Sequence, residues 1–512
     1  MASDQVRITT RHTLHCATAA TVAALECPFN LGPMDYLVSP TVPIEAVFIY
    51  RKPTSSPTNH FLDKRRLRRA VSHLLDYYPH LTGRLQLHPT SHAPQIGSLG
   101  SGVDFWEAHC STTLRRIASS SLSGRIITPK LPGFGAGLLP IFHPTVGSYS
   151  HNPILAIQHT RFACGGVSLG IRIHHQVCDA QGFFQVVRDL AEIYRQLRDS
   201  CPPSLVSPPE IRSHFRIHGE LSPSSAREAR NFVPSSFRLG TESGNGVDKN
   251  AEKQNTVPAS ARVLRFSSQD LAGFKQAATS PDPQSGTWVS TFEALSAYLF
   301  QRVYKAKIQL IEKLGISPQD ERCQELRRFF TTMDMRDRDR LNLPPRYLAN
   351  AVHTLSAYSS HENLMNGPFR SIADTIHRAI RSVDPVQVKR EFQWIAAQPD
   401  HSLVEPTEKF HEGNLAVVQW TRDHTYVGVD FEVRESGRPV LPSLVSPPLS
   451  GSYLTNGLAM VITTVEKSAP RERKTNISDE PDPPRGVYVN LVLEDQIWPF
   501  LERDIDFLRY IC

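Results

Sequence analysis

Between residues 155 and 198 the hydrophobic period changes from two to about 3.6, a switch that prescribes a strand, strand, helix unit within the 512-residue chain. Leu155 to Phe162 reads as one strand, and Gly165-Gly166 turns it into a second. There Val167, Leu169, Ile171 and Ile173 alternate with Ser168, Gly170, Arg172 and His174, the pattern of a half-buried strand in an antiparallel hairpin. After Gly182, the residues Phe183, Phe184, Val187, Leu190, Ala191, Tyr194 and Leu197 share one face of a helix running to about Arg198. His174 to Gly182 is therefore the connection between a strand end and a helix start, a place where scaffolds display reactive side chains.

Other segments read less sharply. Ile44 to Tyr50 is a strand, and Leu62 to Leu75 a helix with Leu67, Ala70, Val71, Leu74 and Leu75 on its apolar stripe. The opposite face, Lys64, Arg65, Arg66, Arg68 and Arg69, reads as solvated surface. Tyr77 to Arg84 is a turn, and Thr291 to Arg302 a helix that Ser290 caps with Glu293 as its reciprocal partner. Short strands are expected at Leu415 to Val418 and Tyr426 to Phe431, an alternating one at Val487 to Leu493, and a last helix at Ile497 to Leu508. Polar stretches at Gly240 to Pro258 and Ser468 to Pro484 read as surface inserts, the first a mobile crossover between halves. The heptapeptide PSLVSPP occurs at 203–209 and again at 442–448, too short for a solenoid repeat.

Length excludes a single core and points to roughly three core-sized units or two large ones. With 40% hydrophobic and 21% charged residues the chain lies in the folded globular class, and a net charge of +6 is too small to indicate nucleic acid. No apolar run approaches the roughly 18 residues of a membrane span. Eight cysteines without a CxxC pair, no metal-ligand spacing, and an opening MASDQVRITTRHTL unlike a signal peptide predict reduced thiols, no metal and a cytoplasmic location.

The chemistry concentrates in His174-His175-Gln176-Val177-Cys178-Asp179-Ala180-Gln181-Gly182. An imidazole near its ordinary pKa of about 6.5 can take a proton at neutral pH, and a carboxylate four residues on can hold the local backbone or the ring. HxxxD alone is common; its setting between regular elements is what points to a site. In a strand the two His side chains point to opposite sides, so only one can face a substrate, and a structural role is expected for His174. Cys178 lies beside them, without a sign of thiolate activation.

With these residues the chain resembles the BAHD acyltransferases, and among them the fungal trichothecene-acetyltransferase-like branch. The HxxxD signature stands at His174, His175 and Asp179, with Ala180 where Gly is usual and Gly182 slightly later. Leu31-Gly32-Pro33-Met34-Asp35, Tyr78 to Leu85, Asp334-Met335-Arg336, and Tyr347 to Val352 match further family segments in the expected order. So do Trp420, Tyr426, Asp430-Phe431 and the strand at Val487 to Leu493. The second signature departs from DFGWG, because Glu432-Val433-Arg434 follows Asp430-Phe431, so that loop must differ in path or exposure.

The resemblance implies an α/β fold of two similar-sized, chloramphenicol-acetyltransferase-like domains, each a mixed β-sheet with flanking helices, enclosing a central channel. Residues 1–235 and 261–512 would form the domains and 236–260 a flexible crossover, with a segment near 431–460 crossing back to the first sheet. It implies a monomer that uses acyl-CoA, acetyl-CoA as the expected donor, to acylate a hydroxyl or amine of a small fungal secondary metabolite. His175 would be the general base in a ternary complex, Asp179 a structural brace paired with Arg336, His174 a supporting residue, and Asp430 and Phe431 the second-signature region. Residues contacting CoA are left unassigned. Two alternatives stay open: a condensation-type domain served by a carrier-protein thioester, and a catalytically silent binding protein on the same scaffold.

Overall fold

The computed structural model describes residues 5–53, 61–114, 126–127, 131–197, 202–214, 221–240, 257–280, 288–410, 413–421, 425–434, 437–463 and 486–511. Two mixed sheets organise them. The first has six strands in the order Val6–Leu14, Val103–Cys110, Leu155–Phe162, Val167–His174, Pro43–Tyr50 and Leu444–Ser446. The second has seven, ordered Val352–Tyr358, Arg328–Asp334, Leu415–Gln419, Leu458–Thr463, Val487–Glu494, Ala259–Phe266 and Ile126–Ile127.

Each half lends a strand to the other. Leu444–Ser446 pairs antiparallel with Pro43–Tyr50 in the first sheet, setting Val445 opposite Phe48. In the reverse direction Ile126–Ile127 pairs with Ala259–Phe266 in the second sheet, an exchange that no sequence pattern announced.

The hairpin forms as its pattern requires, with Gly165 at φ 80° in the turn. Its second strand, however, is buried at every position and not on one face only. Val167, Leu169, Ile171 and Ile173 pack among Val71, Leu74, Phe183 and Val187 of the helices Lys64–Tyr77 and Ala180–Gln196. On the even face Gly170 lies under the segment Pro132–Leu138, where a side chain has no room: a Cβ there would stand 1.9 Å from the Leu138 carbonyl oxygen. Arg172, on the same face, donates to the Pro140 carbonyl at 2.6 Å and pairs with Glu45 at 3.7 Å. Polar residues at alternate positions thus mark a second protein layer, which supplies partners from distant chain to Arg172 and His174.

The helix Lys64–Tyr77 buries the five apolar residues of its stripe and starts at Asp63, which accepts from Arg66 N at 2.8 Å. Its basic face is only partly solvated: Lys64 and Arg68 turn to Glu107, and Arg66 is drawn beneath Glu432. The helix expected to end at Arg302 runs from Thr291 to Lys313, with the capping box between Ser290 and Glu293 in place. Tyr426 to Phe431 is not a strand. Its chain turns through Gly428 at φ 72°, and side chains replace the ladder, with Tyr50 Oη donating to Val429 O at 2.7 Å and Val445 N to Tyr426 Oη at 3.1 Å. The last helix is two, Trp498–Leu501 and Ile505–Ile511, because Asp504 accepts from the amides of Asp506 and Phe507 and starts a new turn.

Strands also occupy both ends of the expected crossover: Phe237–Leu239 pairs with Val404–Pro406, and Ala259 already belongs to the second sheet. Its middle, 241–256, and the second insert, 468–484, lie outside the described residues. Among the described residues no helix is long and apolar enough to cross a membrane.

Because Gly170 meets main chain, Gly170→Ala should destabilise the fold by about 1 to 3 kcal/mol through overpacking, whereas Gly147→Ala, with nothing within 4 Å, should be nearly neutral. Urea unfolding of both variants checks the contrast; equal midpoints would contradict the packing described.

Candidate active site

Between the sheets lies a cavity of about 350 Å³, lined from the first half by Val42, Pro43, Ile44, His175 and Ala180 and from the second by Met333, Val352, Val418, Trp420, Tyr453 and Met460, among others. His175 is the first residue beyond the strand Val167–His174, so it leaves the sheet where the chain turns toward the other half. Its ring Nδ1 is buried without a well-aligned hydrogen bond, which leaves Nε2 as the nitrogen available to the cavity. Burial lowers the His175 pKa, and its own main-chain carbonyl and Asp179 only partly offset that effect. At neutral pH the ring is uncharged and able to accept a proton.

His174 points the other way. Its Nε2 meets the Pro40 carbonyl at 2.9 Å, its ring stands edge-on to Tyr149, and burial depresses its pKa to about 3. It is a neutral ring holding the strand end to the 38–40 segment, where Gln176 also donates to Val38 O at 2.9 Å. Cys178 is fully buried, and burial pushes its thiol well above the ordinary range, the opposite of nucleophile activation.

Asp179 does three things at once. It caps the helix Ala180–Gln196 by accepting from Gly182 N at 3.1 Å, accepts from Ala351 N at 2.9 Å, and takes both guanidinium nitrogens of Arg336 at 2.8 and 2.9 Å. Gly182 has no room for a Cβ, which would lie 2.1 Å from the Leu348 carbonyl oxygen, so the two halves touch main chain to main chain here. Arg336 also meets Asp334 at 3.0 Å and donates to the carbonyls of Tyr347 and Ala349. Burial would lower its pKa, but Asp179 and Asp334 hold it above the ordinary value.

A second carboxylate supports the same turn. Asp35 accepts from Gly32 N at 2.7 Å and from Asn350 N and Nδ2 at 3.0 and 2.8 Å. The same Asn350 amide donates to the main-chain carbonyl of His175 at 2.9 Å. Asp35 and Asn350 were visible in the sequence only as members of family-like segments, without a role; partners 315 residues apart leave no periodic signal. Burial raises the Asp35 pKa to about 7, against the lowering effect of these bonds.

Asp430 and Phe431 do not line the cavity. Asp430 pairs with Arg195 at 3.4 Å, and Phe431 stands edge-on to Tyr50 and Tyr194. Glu432, at the position where the second signature departs, is 8% exposed and accepts from Arg66 Nη2 at 2.6 Å, Tyr194 Oη at 2.9 Å and Leu62 N at 3.2 Å. A carboxylate node stands where a glycine turn was expected. Among the described residues no group of three or more His, Cys, Asp or Glu side chains is placed to hold a metal ion.

Removing the carboxylate in Asp179→Ala would leave Arg336 buried with one carboxylate fewer and uncap a helix, so a loss of about 3 to 5 kcal/mol in unfolding free energy is expected, read by urea titration. Asp35 titrates in the other sense from a paired carboxylate. Its native pKa is raised, so its contribution to stability is full below 3.8 and is lost as pH climbs through about 7. Wild-type stability should therefore fall relative to Asp35→Asn between about pH 4 and about pH 8, and a constant difference would count against the raised pKa.

A profile described as the Transferase family matches residues 6–459. Among curated proteins, the chain is 25% identical over 458 residues to a hydroxycinnamoyl-CoA:5-hydroxyanthranilate N-hydroxycinnamoyltransferase of Avena sativa, covering 88% of this chain and 93% of that one. It is 24% identical over 390 residues to the shikimate O-hydroxycinnamoyltransferase of Nicotiana tabacum, covering 75% and 80%. Two solved structures share the fold: vinorine synthase, at a TM-score of 0.64 and 14% identity over 99% of this chain and 98% of that one, and F. sporotrichioides TRI101 with coenzyme A and T-2, at 0.64 and 15% over 95% and 99%.

Proposed function

The chain belongs to the Transferase family, the acyl-CoA-dependent BAHD acyltransferases, and on that premise we propose that it moves an acyl group from acyl-CoA to a hydroxyl or amine of a small molecule with His175 as general base. The observation that carries this reading is a neutral imidazole presented to a cavity shared by both halves. His175 Nε2 takes the acceptor proton while the acceptor oxygen or nitrogen bonds to the thioester carbonyl carbon. The tetrahedral oxyanion collapses, the carbon–sulfur bond breaks, and the departing thiolate receives the proton from the imidazolium, regenerating the base. Acyl transfer is direct, within a ternary complex, and Cys178 takes no part.

Asp179 acts as a brace, its carboxylate engaged by Arg336, Gly182 N and Ala351 N and not by the ring of His175. His174 supports the strand end, and Asp430 and Phe431 hold the second-signature loop to the helix Ala180–Gln196. In this reading the halves divide within 236–260, since the second sheet otherwise begins at Ala259 and the first otherwise ends at His174. The six cysteines among the described residues are unpaired thiols, which supports a cytoplasmic location.

The finer reading, acetyl transfer to a fungal secondary metabolite in a trichothecene-acetyltransferase-like branch, rests on the motif segments, since TRI101 and vinorine synthase share the fold at the same TM-score of 0.64. The curated relatives carry aromatic acyl groups in their names, so a donor panel of acetyl-CoA and aroyl-CoAs decides between these.

Coenzyme A release measured over an acceptor panel tests the proposal. His175→Ala should lose at least about 10²-fold in kcat with folding intact, and a folded variant keeping a tenth of the wild-type rate would overturn the assignment. The acid limb of the wild-type pH profile should lie below 6.5, the ordinary histidine value, because burial favours the neutral ring. Turnover only with a carrier-protein thioester would favour the condensation-type alternative.

A further inference from the structure

The loop of the second half that holds the His175 turn is pinned well away from the ring. Residues 346–351 lie along the helix Ala180–Gln196: Ala351 N donates to Asp179 at 2.9 Å, the Leu348 carbonyl closes on Gly182, and the Arg346 carbonyl accepts from Gln185 Nε2 at 3.0 Å. At the far end Arg346 Nη2 pairs with Asp189, ten residues beyond Asp179 and therefore about 15 Å further along the helix axis. Asp189 is buried, and Tyr78 Oη, at the end of the helix Lys64–Tyr77, donates to the same carboxylate oxygen. Gln185 Nε2 also donates to Tyr78 Oη at 3.2 Å, so three separate stretches of chain meet on one buried carboxylate.

Arg346 is not a residue its own backbone favours. Its φ is 61°, in the left-handed region that suits glycine, and its Nε is buried without a hydrogen bond. Such a conformation persists where surrounding contacts over-determine it, and the side-chain contact that does so is the pair with Asp189. Glu210 bonds the same loop only through main chain, its N donating to Arg346 O at 3.1 Å and its O accepting from Leu348 N at 2.9 Å. Four residues on from Arg346, Asn350 donates to the His175 carbonyl, and the next residue, Ala351, holds Asp179. A stretch this short, fixed at both ends, carries the placement of one end to the other.

We propose that Asp189 and Arg346 are positioning residues for acyl transfer: their pair fixes residues 346–351 against the helix and, through Asn350 and Ala351, keeps the His175 ring in place in the cavity. Neither residue is among those lining the cavity, so the pair acts through the loop and not on substrate. The proposal rests on His175 as general base and adds a distant contact on which that base depends. A misplacement of about 1 Å at a reacting group can cost about 10²-fold in rate while substrate contacts stay intact, so the expected signature is a fall in kcat without a rise in KM. A brace for stability alone would give the reverse, a lower melting temperature with unchanged kcat.

Wild type, Arg346→Gly, Arg346→Lys and Asp189→Asn are compared by CoA release over the acceptor panel, at temperatures well below each thermal midpoint. Arg346→Gly removes the pair together with the left-handed strain, so the backbone keeps its path while the loop loses its pin. It should lower kcat at least about 10-fold with both KM values within about twofold, and Asp189→Asn should lower kcat in the same sense. Arg346→Lys, whose ammonium replaces the single Nη2 contact, should keep at least about half of the wild-type kcat. Asp189→Asn, which keeps the size and the Tyr78 contact, carries the test should Arg346→Gly not fold. Ring resonances of isotope-labelled histidine, assigned to His175 by their loss in His175→Gln, need no turnover; they should shift in Arg346→Gly and Asp189→Asn and stand at the wild-type position in Arg346→Lys. Unchanged kcat in Arg346→Gly and Asp189→Asn, a rise in KM in place of a fall in kcat, or unshifted His175 resonances would overturn the assignment. Should wild type release no CoA from any thioester, the general-base reading fails by itself, and the His175 resonances still decide whether the pair positions the ring.

Discussion

The ion pair between Asp179 and Arg336 joins the two halves at the point where the chemistry is proposed. Neither partner is free to leave it: Asp179 also caps a helix of the first half and holds an amide of the second, and Arg336 also bridges Asp334 and two carbonyls. Two buried charges cost desolvation, and the pair is tolerable because nearly every lone pair and N–H finds a partner. The cost secures a fixed geometry. Gly182 lets the capped helix approach Leu348 to main-chain contact, and His175, four residues before Asp179, is thereby set against a cavity whose other wall comes from residues 288 and onward.

The turn carrying His175 is gripped from beneath as well. Asn350, tied twice to Asp35, holds the His175 carbonyl, while His174 and Gln176 hook the same segment to Pro40 and Val38. The Asp179 brace and the Asp35 anchor share the stretch 347–351, so one loop of the second half positions both. A ring placed this way needs no hydrogen-bonded acid on its inner nitrogen to hold it. Its basicity is set by burial, and its orientation by main-chain contacts on either side.

Away from the cavity, Glu432 shows how one substitution rebuilds a motif. Where the family has a glycine turn, a buried carboxylate binds Arg66, Tyr194 and the amide of Leu62, tying the loop after Trp420 to two helices of the first half. This also explains why the basic face of Lys64–Tyr77 is not simply solvated: Arg66 is the counter-charge, lying over the Tyr194 ring at 4.1 Å. The reciprocal loan of strands, Leu444–Ser446 one way and Ile126–Ile127 the other, adds backbone ladders to the side-chain links between halves.

Local pattern alone determined the hairpin, the stripe of Lys64–Tyr77, the helix after Asp179 and the capping box of Ser290, since period and capping act within one or two turns of chain. The motif segments made His175, Asp179 and Arg336 legible as residues to watch. Tertiary structure decided what the alternation at Ser168, Gly170 and Arg172 meant, because whether an even face meets water or the segment Pro132–Leu138 depends on chain some 30 residues away. It decided that Tyr426 to Phe431 would turn and not extend, through hydrogen bonds from Tyr50 and Val445. It also brought Asp35 to Asn350 and Asp189 to Arg346. A side chain's period reports which face it shares with its neighbours in sequence; what lies across that face is set by long-range packing, for which the sequence carries no period.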